Sequence, residues 1–203
     1  MAHAIISFLT KLTSNKTAVA ALLAVVPVTE IKGAILYAVL TEGKVWIPAI
    51  VAYLSSLLPA ALLAFFAPKG LRIARKIPFV GKVFAVFTER LNARAEKISQ
   101  KSGERESAKL FSVFTFVAVP LPLTGIWAGA LLAAILGLKS KNTFFALAAG
   151  NFVSAGVVLT VGLLAGEKAE WVLEVFLFVA IGLLFLALIK ALLSRLHAGR
   201  TYK

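Results

Sequence analysis

Residues 117–138 read VAVPLPLTGIWAGALLAAILGL, an apolar run that Pro120 and Pro122 interrupt near its start. Proline removes a backbone donor and clashes with the preceding helical turn, so two prolines this close end one helix. A second helix can then begin near Thr124 or Gly125. Because lipid cannot hydrogen-bond a free backbone, such a break persists in a bilayer only against protein or water. The run predicts a broken or re-entrant element, with an ordinary kinked span as the alternative.

Small residues recur every fourth position after this break, at Gly125, Gly129, Ala133 and Gly137. A stripe of this kind lets another helix approach closely, so we expect it to face protein. A broken helix followed by a small-residue packing face is typical of transporters that build a binding site at mid-membrane.

The composition of the whole chain is that of a membrane protein. Of its 203 residues, 60% are hydrophobic, and several runs approach the ~20 residues that cross a bilayer. We expect one membrane domain without a separate soluble one. Cysteine is absent, which excludes disulfides and thiol chemistry, and the two histidines lie near the ends of the chain.

The net charge of +13 is unevenly placed, because residues 68–110 carry +7 of it and residues 190–203 another +4. Basic segments beside apolar spans orient a membrane protein and contact anionic lipid. Since the charge flanks spans, nucleic acid is not an expected partner.

A second broken run precedes the first one in the chain. Residues 17–40 are apolar, yet Pro27, Glu30, Lys32 and Gly33 fall at their middle. Two charges at that depth are costly in lipid. The run is either one span or two half-helices with a polar tip.

The chain thus repeats one pattern, a proline-broken run followed by a full span, which is a mark of transporter repeats. The predicted fold is an all-α polytopic membrane protein. It is an inverted repeat of a re-entrant helical hairpin followed by a transmembrane helix, with one further transmembrane helix at the C-terminus. The predicted segments are an interfacial stretch at 1–16, repeat 1 at 17–67, a basic amphipathic cytoplasmic segment at 68–110, repeat 2 at 111–166, and a C-terminal transmembrane helix with a basic tail at 167–203.

Charge counting favours the re-entrant form of the second run. If residues 111–138 return to the cytoplasmic side, the basic turn at 139–141 and the basic C-terminal tail both become cytoplasmic. By symmetry the first run would enter from outside. That arrangement leaves Lys11 and Lys16 outside, a modest violation of the charge rule.

Two motifs carry a family resemblance. Glu30-Ile31-Lys32-Gly33-Ala34-Ile35 resembles the E-L-R-G-A-I-P signature of the small multidrug export family of prokaryotic membrane proteins, and PLPLTGIWAGAL at 120–131 resembles its second signature, P-L-P-G-T-G-A-W-T-G-A-L. Departures include Lys32 for Arg, Leu36 for Pro and Leu123 for Gly. The layout is also similar to that of the DedA lipid-transporter superfamily, whose paired re-entrant hairpins are linked to moving polyprenyl-phosphate or phospholipid. The resemblance implies a multi-pass protein of the prokaryotic cytoplasmic membrane, and the family name implies drug efflux.

Glu30 and Lys32 are the leading candidates for a substrate or ion site. Burial in an apolar run disfavours a charged carboxylate, which suits Glu30 to proton coupling; a structural ion pair is the alternative. Lys32 can pair with Glu30 and then with an anionic substrate, or simply extend its ammonium toward the interface. Gly33 belongs to the same predicted tip.

The second predicted tip is framed by Pro120 and Pro122. Thr124 and the amides that follow, from Gly125 to Trp127, would begin a half-helix whose free N–H groups attract anions. Trp127 is alternatively an interface anchor. Asn151 either bonds between helices or binds substrate.

These residues favour a secondary transporter over other classes. A hydrolase would need His, Asp, Cys or an activated Ser at depth, so no catalytic residue, cofactor or metal site is predicted. A channel lacks a ring of like charges, and a scaffold would not need Glu30 and Lys32. We expect an amphipathic, anionic substrate such as polyprenyl-phosphate or phospholipid, with proton coupling; export of lipophilic cations and a non-transporting scaffold are the alternatives. Membrane lipid is an expected partner, and a homodimer stays open.

Overall fold

A computed structural model describes residues 13–27, 29–41, 44–76, 91–101, 103, 105–121 and 124–168, with isolated positions between 171 and 189. Every regular element in these ranges is a helix, and no strand occurs among them. Two helices are long and apolar enough to cross a membrane, Trp46–Leu71 and Ser140–Ala165. The all-helical class is therefore confirmed for the described part of the chain.

The first broken run forms two short helices, α1 (Lys16–Val25) and α2 (Glu30–Leu40). Asn15 begins α1 because its side-chain oxygen accepts the Thr17 and Ala18 amides at 2.9 and 3.3 Å. The break between the helices contains Pro27, as predicted. With 10 and 11 residues, each helix is about 15 Å long, half of a bilayer's hydrocarbon thickness of about 30 Å.

Helix α3 (Trp46–Lys76) follows, and it continues past residue 67, the predicted end of repeat 1, into the predicted basic segment. Pro59 and Pro68 lie inside it without ending it. Along one face it exposes a large apolar side chain at every fourth position, at Trp46, Ile50, Leu54, Leu58, Leu62 and Phe66. A stripe of this size is stable against lipid and not against water.

The second half begins with helical residues 91–101 (α4) and continues with α5 (Glu106–Ala118), α6 (Ile126–Ile135) and α7 (Ser140–Ala165). The break between α5 and α6 includes Pro120, as predicted. In α4, Leu91 and Ala95 are buried while Arg94 and Lys97 are exposed, so this helix has one apolar and one basic face.

Helix α6 is shorter than the small-residue stripe suggested. Gly125, Gly129 and Ala133 are buried, but Gly137 is exposed and has φ +69°. The amides of Gly137 and Leu138 donate to the carbonyls of Ala134 and Ala133, the pattern with which a left-handed glycine ends a helix. The prediction that Gly137 faces protein was wrong, because the residue terminates α6.

The helices pack in a reciprocal pattern. Helix α1 packs on α3 and α5 packs on α7, so the first helix of each pair contacts the long helix of its own half. Helix α2 packs on α7 and α6 packs on α3, so the second helix crosses to the other half. This exchange brings the two breaks together between the long helices.

Several predicted features lie outside the described residues. They are the interfacial stretch at 1–12, the basic segment at 77–90, Pro122, and the basic tail at 190–203. Of the predicted C-terminal span at 171–189, the described positions are helical.

Candidate functional site

The two helix breaks meet at the Lys32 ammonium group, and only 1% of this residue is exposed. Its Nζ donates to the Leu121 carbonyl oxygen at 2.9 Å, to Thr124 Oγ1 at 3.5 Å and to Glu30 Oε2 at 3.5 Å. Lys32 thus joins the start of α2 to the backbone of the second break.

Thr124 shapes that second break. Its hydroxyl donates to the Val119 and Leu121 carbonyl oxygens at 2.7 and 2.8 Å, and its oxygen accepts from Lys32. The carbonyls of a helix break lie outside the regular helical hydrogen bonds and need other donors in an apolar surrounding. Here the Val119 and Leu121 carbonyls accept from the Leu121 and Thr124 amides and, in addition, from the side chains of Thr124 and Lys32.

Glu30 lies at the N-terminus of α6, in the other half of the chain. Its Oε1 accepts the Trp127 amide at 3.5 Å. A Cβ built on Gly125 would fall inside the Glu30 carboxylate, so only glycine leaves space for it there. The first amides of a helix lack intrahelical partners and carry partial positive charge, so a carboxylate is stabilised at this place.

The backbone of Glu30 is strained. It has φ +48°, the only positive φ of a non-glycine residue in the described part of the chain. Such a conformation costs about 1–3 kcal/mol and persists only where the surroundings enforce it. The adjacent Thr29 side chain, which donates to the Leu23 carbonyl at 2.6 Å, fixes the turn that precedes Glu30.

The site is therefore internally charge-balanced. The donors that we expected to be free for an anion, the Lys32 ammonium and the amides that begin α6, already hold the chain's own Glu30 carboxylate. A substrate of either charge would have to replace one member of this pair. In this arrangement the chain's own side chains and backbone satisfy both charges of the pair.

Three further residues of the predicted site, Gly33, Pro120 and Trp127, lie in or next to the two breaks. Gly33 is buried one turn beyond Thr29, where a Cβ would lie 3.0 Å from Thr29 Cβ. Pro120 lies in the second break, half-buried. Trp127 contributes its backbone amide, and its side chain is half-buried.

Asn151 is separate from the pair and bonds between the long helices. Its Nδ2 donates to Ser56 Oγ at 2.7 Å, and Ser56 donates in turn to the Tyr53 carbonyl at 2.6 Å. Asn151 Oδ1 and Ser154 Oγ are buried and make no hydrogen bond. Asn151 thus makes the interhelical bond that was one of its two predicted roles.

Sequence reasoning missed two groups of the site. The Leu121 carbonyl makes the shortest contact to Lys32, and backbone carbonyls carry no residue signature. Ser56 bonds Asn151 from the facing helix, and a paired serine in a span gives no indication of its partner. Among the residues described, no group of His, Cys, Asp and Glu could hold a metal ion.

Two hydrogen bonds between the long helices span the same number of positions in the sequence. The Tyr53 hydroxyl donates to the Ala148 carbonyl and Asn151 donates to Ser56, and both pairs are 95 positions apart. Glu30 and Gly125, whose atoms pack directly against each other, are also 95 positions apart in the sequence. Pro27 and Pro122 have the same separation in the sequence.

Comparison with known proteins gives one family. The model of the family described as "Putative small multi-drug export protein" matches residues 30–158, more than half of the chain. The matched stretch begins at Glu30, directly after the first break, and includes the second break. No curated protein and no solved structure matches the chain.

Proposed function

The chain belongs to the small multi-drug export family, and from that membership and the joined helix breaks we propose that it is a secondary transporter. An export family together with two apolar spans indicates a membrane transporter rather than an enzyme. Its location is the cytoplasmic membrane, which it crosses several times. The substrate site is the place where Lys32 joins the two breaks.

In this proposal the short helix pairs are re-entrant and enter from opposite faces of the bilayer. Helices α1 and α2 are each too short to span and pack against one another. The reciprocal packing and the contacts between positions 95 apart support an inverted repeat, because equivalent residues touch only on a two-fold axis. Transporters with such repeats bind substrate between the halves.

The substrate is an amphipathic anion with a phosphate-type head, carried with its tail in the lipid. The observation behind this choice is an asymmetry in how the two charges are held. Lys32 has a contact of 2.9 Å to a backbone carbonyl, whereas both polar contacts of Glu30 are 3.5 Å long. The carboxylate is also attached to a strained backbone. The group more easily replaced is therefore the anion.

Glu30 acts as a placeholder for the substrate. Protonation from one side neutralises it and releases the Lys32 ammonium and the amides that begin α6. A phosphate can then accept from the same donors, and charge-assisted bonds of this type are about twice as strong as neutral ones. Transport is coupled to a proton gradient through this exchange. The predicted layout resembles that of DedA lipid transporters, and this analogy alone favours such a substrate.

Export of lipophilic cations is the second candidate function, and the family description favours it. A cation would use Glu30 as its counter-ion and would have to displace Lys32. In that case Lys32 would be repulsive to the substrate rather than attractive.

Reconstituted transport with both substrate classes distinguishes the two functions. We expect Lys32→Gln to abolish translocation of a fluorescent polyprenyl-phosphate while sparing efflux of ethidium. Lys32→Arg should keep phosphate-lipid transport because the charge remains. Glu30→Gln should lose acceleration by a pH gradient.

A control is needed because removing one member of a buried ion pair costs about 3–5 kcal/mol. The double variant Glu30→Gln with Lys32→Gln keeps the pair neutral and should be stable but inactive toward the phosphate lipid. The anionic proposal is wrong if Lys32→Gln moves the phosphate lipid at the parent rate while Glu30→Gln abolishes ethidium efflux.

A further inference from the structure

A cleft of about 360 Å³ lies beside the joined breaks, between α4 and α5. Its lining is mostly apolar, with three hydroxyl side chains and one guanidinium, and it includes residues of the second break. The lining residues are Arg94, Ile98, Phe111, Ser112, Thr115, Phe116, Val119, Leu121 and Thr124.

The cleft leads to the site already described. Leu121 and Thr124, which line it, are the two residues of the second break that bond Lys32, at 2.9 and 3.5 Å. A ligand group beside them would lie next to direct partners of the buried ammonium.

Arg94 gives the cleft a positive charge. Its guanidinium carbon lies over the Phe116 ring, 4.7 Å from the ring centroid, a cation–π contact that holds the group at the cleft wall. Among the described residues Arg94 makes no ion pair, so this guanidinium has no carboxylate partner there. A guanidinium held this way binds a phosphate through two parallel hydrogen bonds.

We propose that this cleft is the access site for the substrate on the side of the membrane where α4 lies. Its occupant is a phosphate-headed lipid, whose head binds Arg94 and then moves toward Lys32. The apolar walls, including Phe111 and Ile98, receive the first part of the tail. This inference rests on the proposed function for its substrate class and adds a recognition residue, Arg94, outside the buried pair.

The test is lipid binding, separate from transport. Fluorescent phosphatidic acid is titrated against the full-length protein in phosphatidylcholine nanodiscs, with inorganic phosphate as competitor. We expect Arg94→Gln to weaken binding about tenfold, the effect of one charge-assisted contact. Inorganic phosphate should compete only weakly, because the tail contributes to binding.

Lys97→Gln is the matched control, since Lys97 is exposed on the same helix but does not line the cleft. It should bind like the parent. Ser112→Phe should weaken binding by filling the cleft, without loss of thermal stability. Unchanged binding by Arg94→Gln, or an equal loss in Lys97→Gln, would overturn the access site.

The two proposals fail separately. Lys32→Gln should lose transport but bind phosphatidic acid within about threefold of the parent, because the access site precedes the buried pair. A parent protein that binds through Arg94 but transports no phosphate lipid would contradict the proposed function alone. Full transport and binding by Arg94→Gln would contradict the access site alone.

Discussion

At the scale of the residue, the central feature is a carboxylate that occupies the anion site of its own chain. Glu30 accepts from Lys32 and from the Trp127 amide, and it fills the space that Gly125 leaves. The motif around Glu30 predicted a buried charge with Lys32 as its partner. The contact of Glu30 with the Trp127 amide could not be predicted, because that amide is 97 positions away in the sequence.

A double-mutant cycle tests the contact between Glu30 and Gly125. In the parent, Gly125→Ala should push the carboxylate away from the Trp127 amide and lower the free energy of unfolding by about 1–3 kcal/mol. In a Glu30→Ala background the same change should cost less than about 0.5 kcal/mol, since the colliding atoms are gone. Thermal unfolding in detergent measures both.

Gly70→Ala is the control for this cycle, because a Cβ there meets no atom within 4 Å. It should be neutral or slightly stabilising in the long helix. Equal costs of Gly125→Ala in both backgrounds would show that the carboxylate does not lie against Gly125.

At the scale of the element, close packing depends on glycines that allow helices to touch. A Cβ on Gly129 would overlap Val117 and lie 2.9 Å from Leu147 Cδ2, and one on Gly150 would lie 2.6 Å from the Phe114 carbonyl oxygen. Helices α5, α6 and α7 therefore meet at distances that larger residues would prevent.

Gly129→Leu should destabilise the fold by more than the roughly 1–3 kcal/mol typical of overpacking, because four carbons enter a contact with no space. Gly156→Leu is the matched control on α7, where a Cβ meets nothing within 4 Å and the position is exposed. A Gly129→Leu variant as thermostable as Gly156→Leu would mean that the stripe on α6 does not face protein.

Some helix ends could be predicted from single residue types and others could not. Proline removes a backbone donor and disfavours a helix, and near Pro27 and Pro120 further signals agree with a break: charged residues follow Pro27 and a second proline follows Pro120, so both breaks were predicted from the sequence alone. Glycine can either allow close helix packing or end a helix. The four-residue spacing could not tell that Gly129 does the first and Gly137 the second. Pro59 and Pro68 show that a proline in a long apolar helix need not end it, since α3 continues through both.

At the scale of the whole molecule, the sequence indicated two similar halves but not which residues of one half contact the other. Those contacts, from Lys32 to Leu121 and from Asn151 to Ser56, join residues far apart in the sequence, and no local pattern predicts them. The spacing of 95 shared by Tyr53–Ala148 and Asn151–Ser56 supports the proposed repeat of the two halves. The proposed exchange of Glu30 for a substrate phosphate depends on this relation, because each half supplies one part of the site.

The central claim is that each short helix pair returns to the face from which it enters, so that the breaks meet within the membrane. Single cysteines can test it cleanly, since the chain has none of its own. Exposed positions flank each pair, Ser14 and Lys44 around the first, Arg105 and Lys141 around the second. Labelling of intact cells with an impermeant maleimide should modify S14C and K44C, whereas R105C and K141C should react only after permeabilisation. If the two cysteines that flank either pair react from opposite sides, that pair crosses the membrane and the account is contradicted.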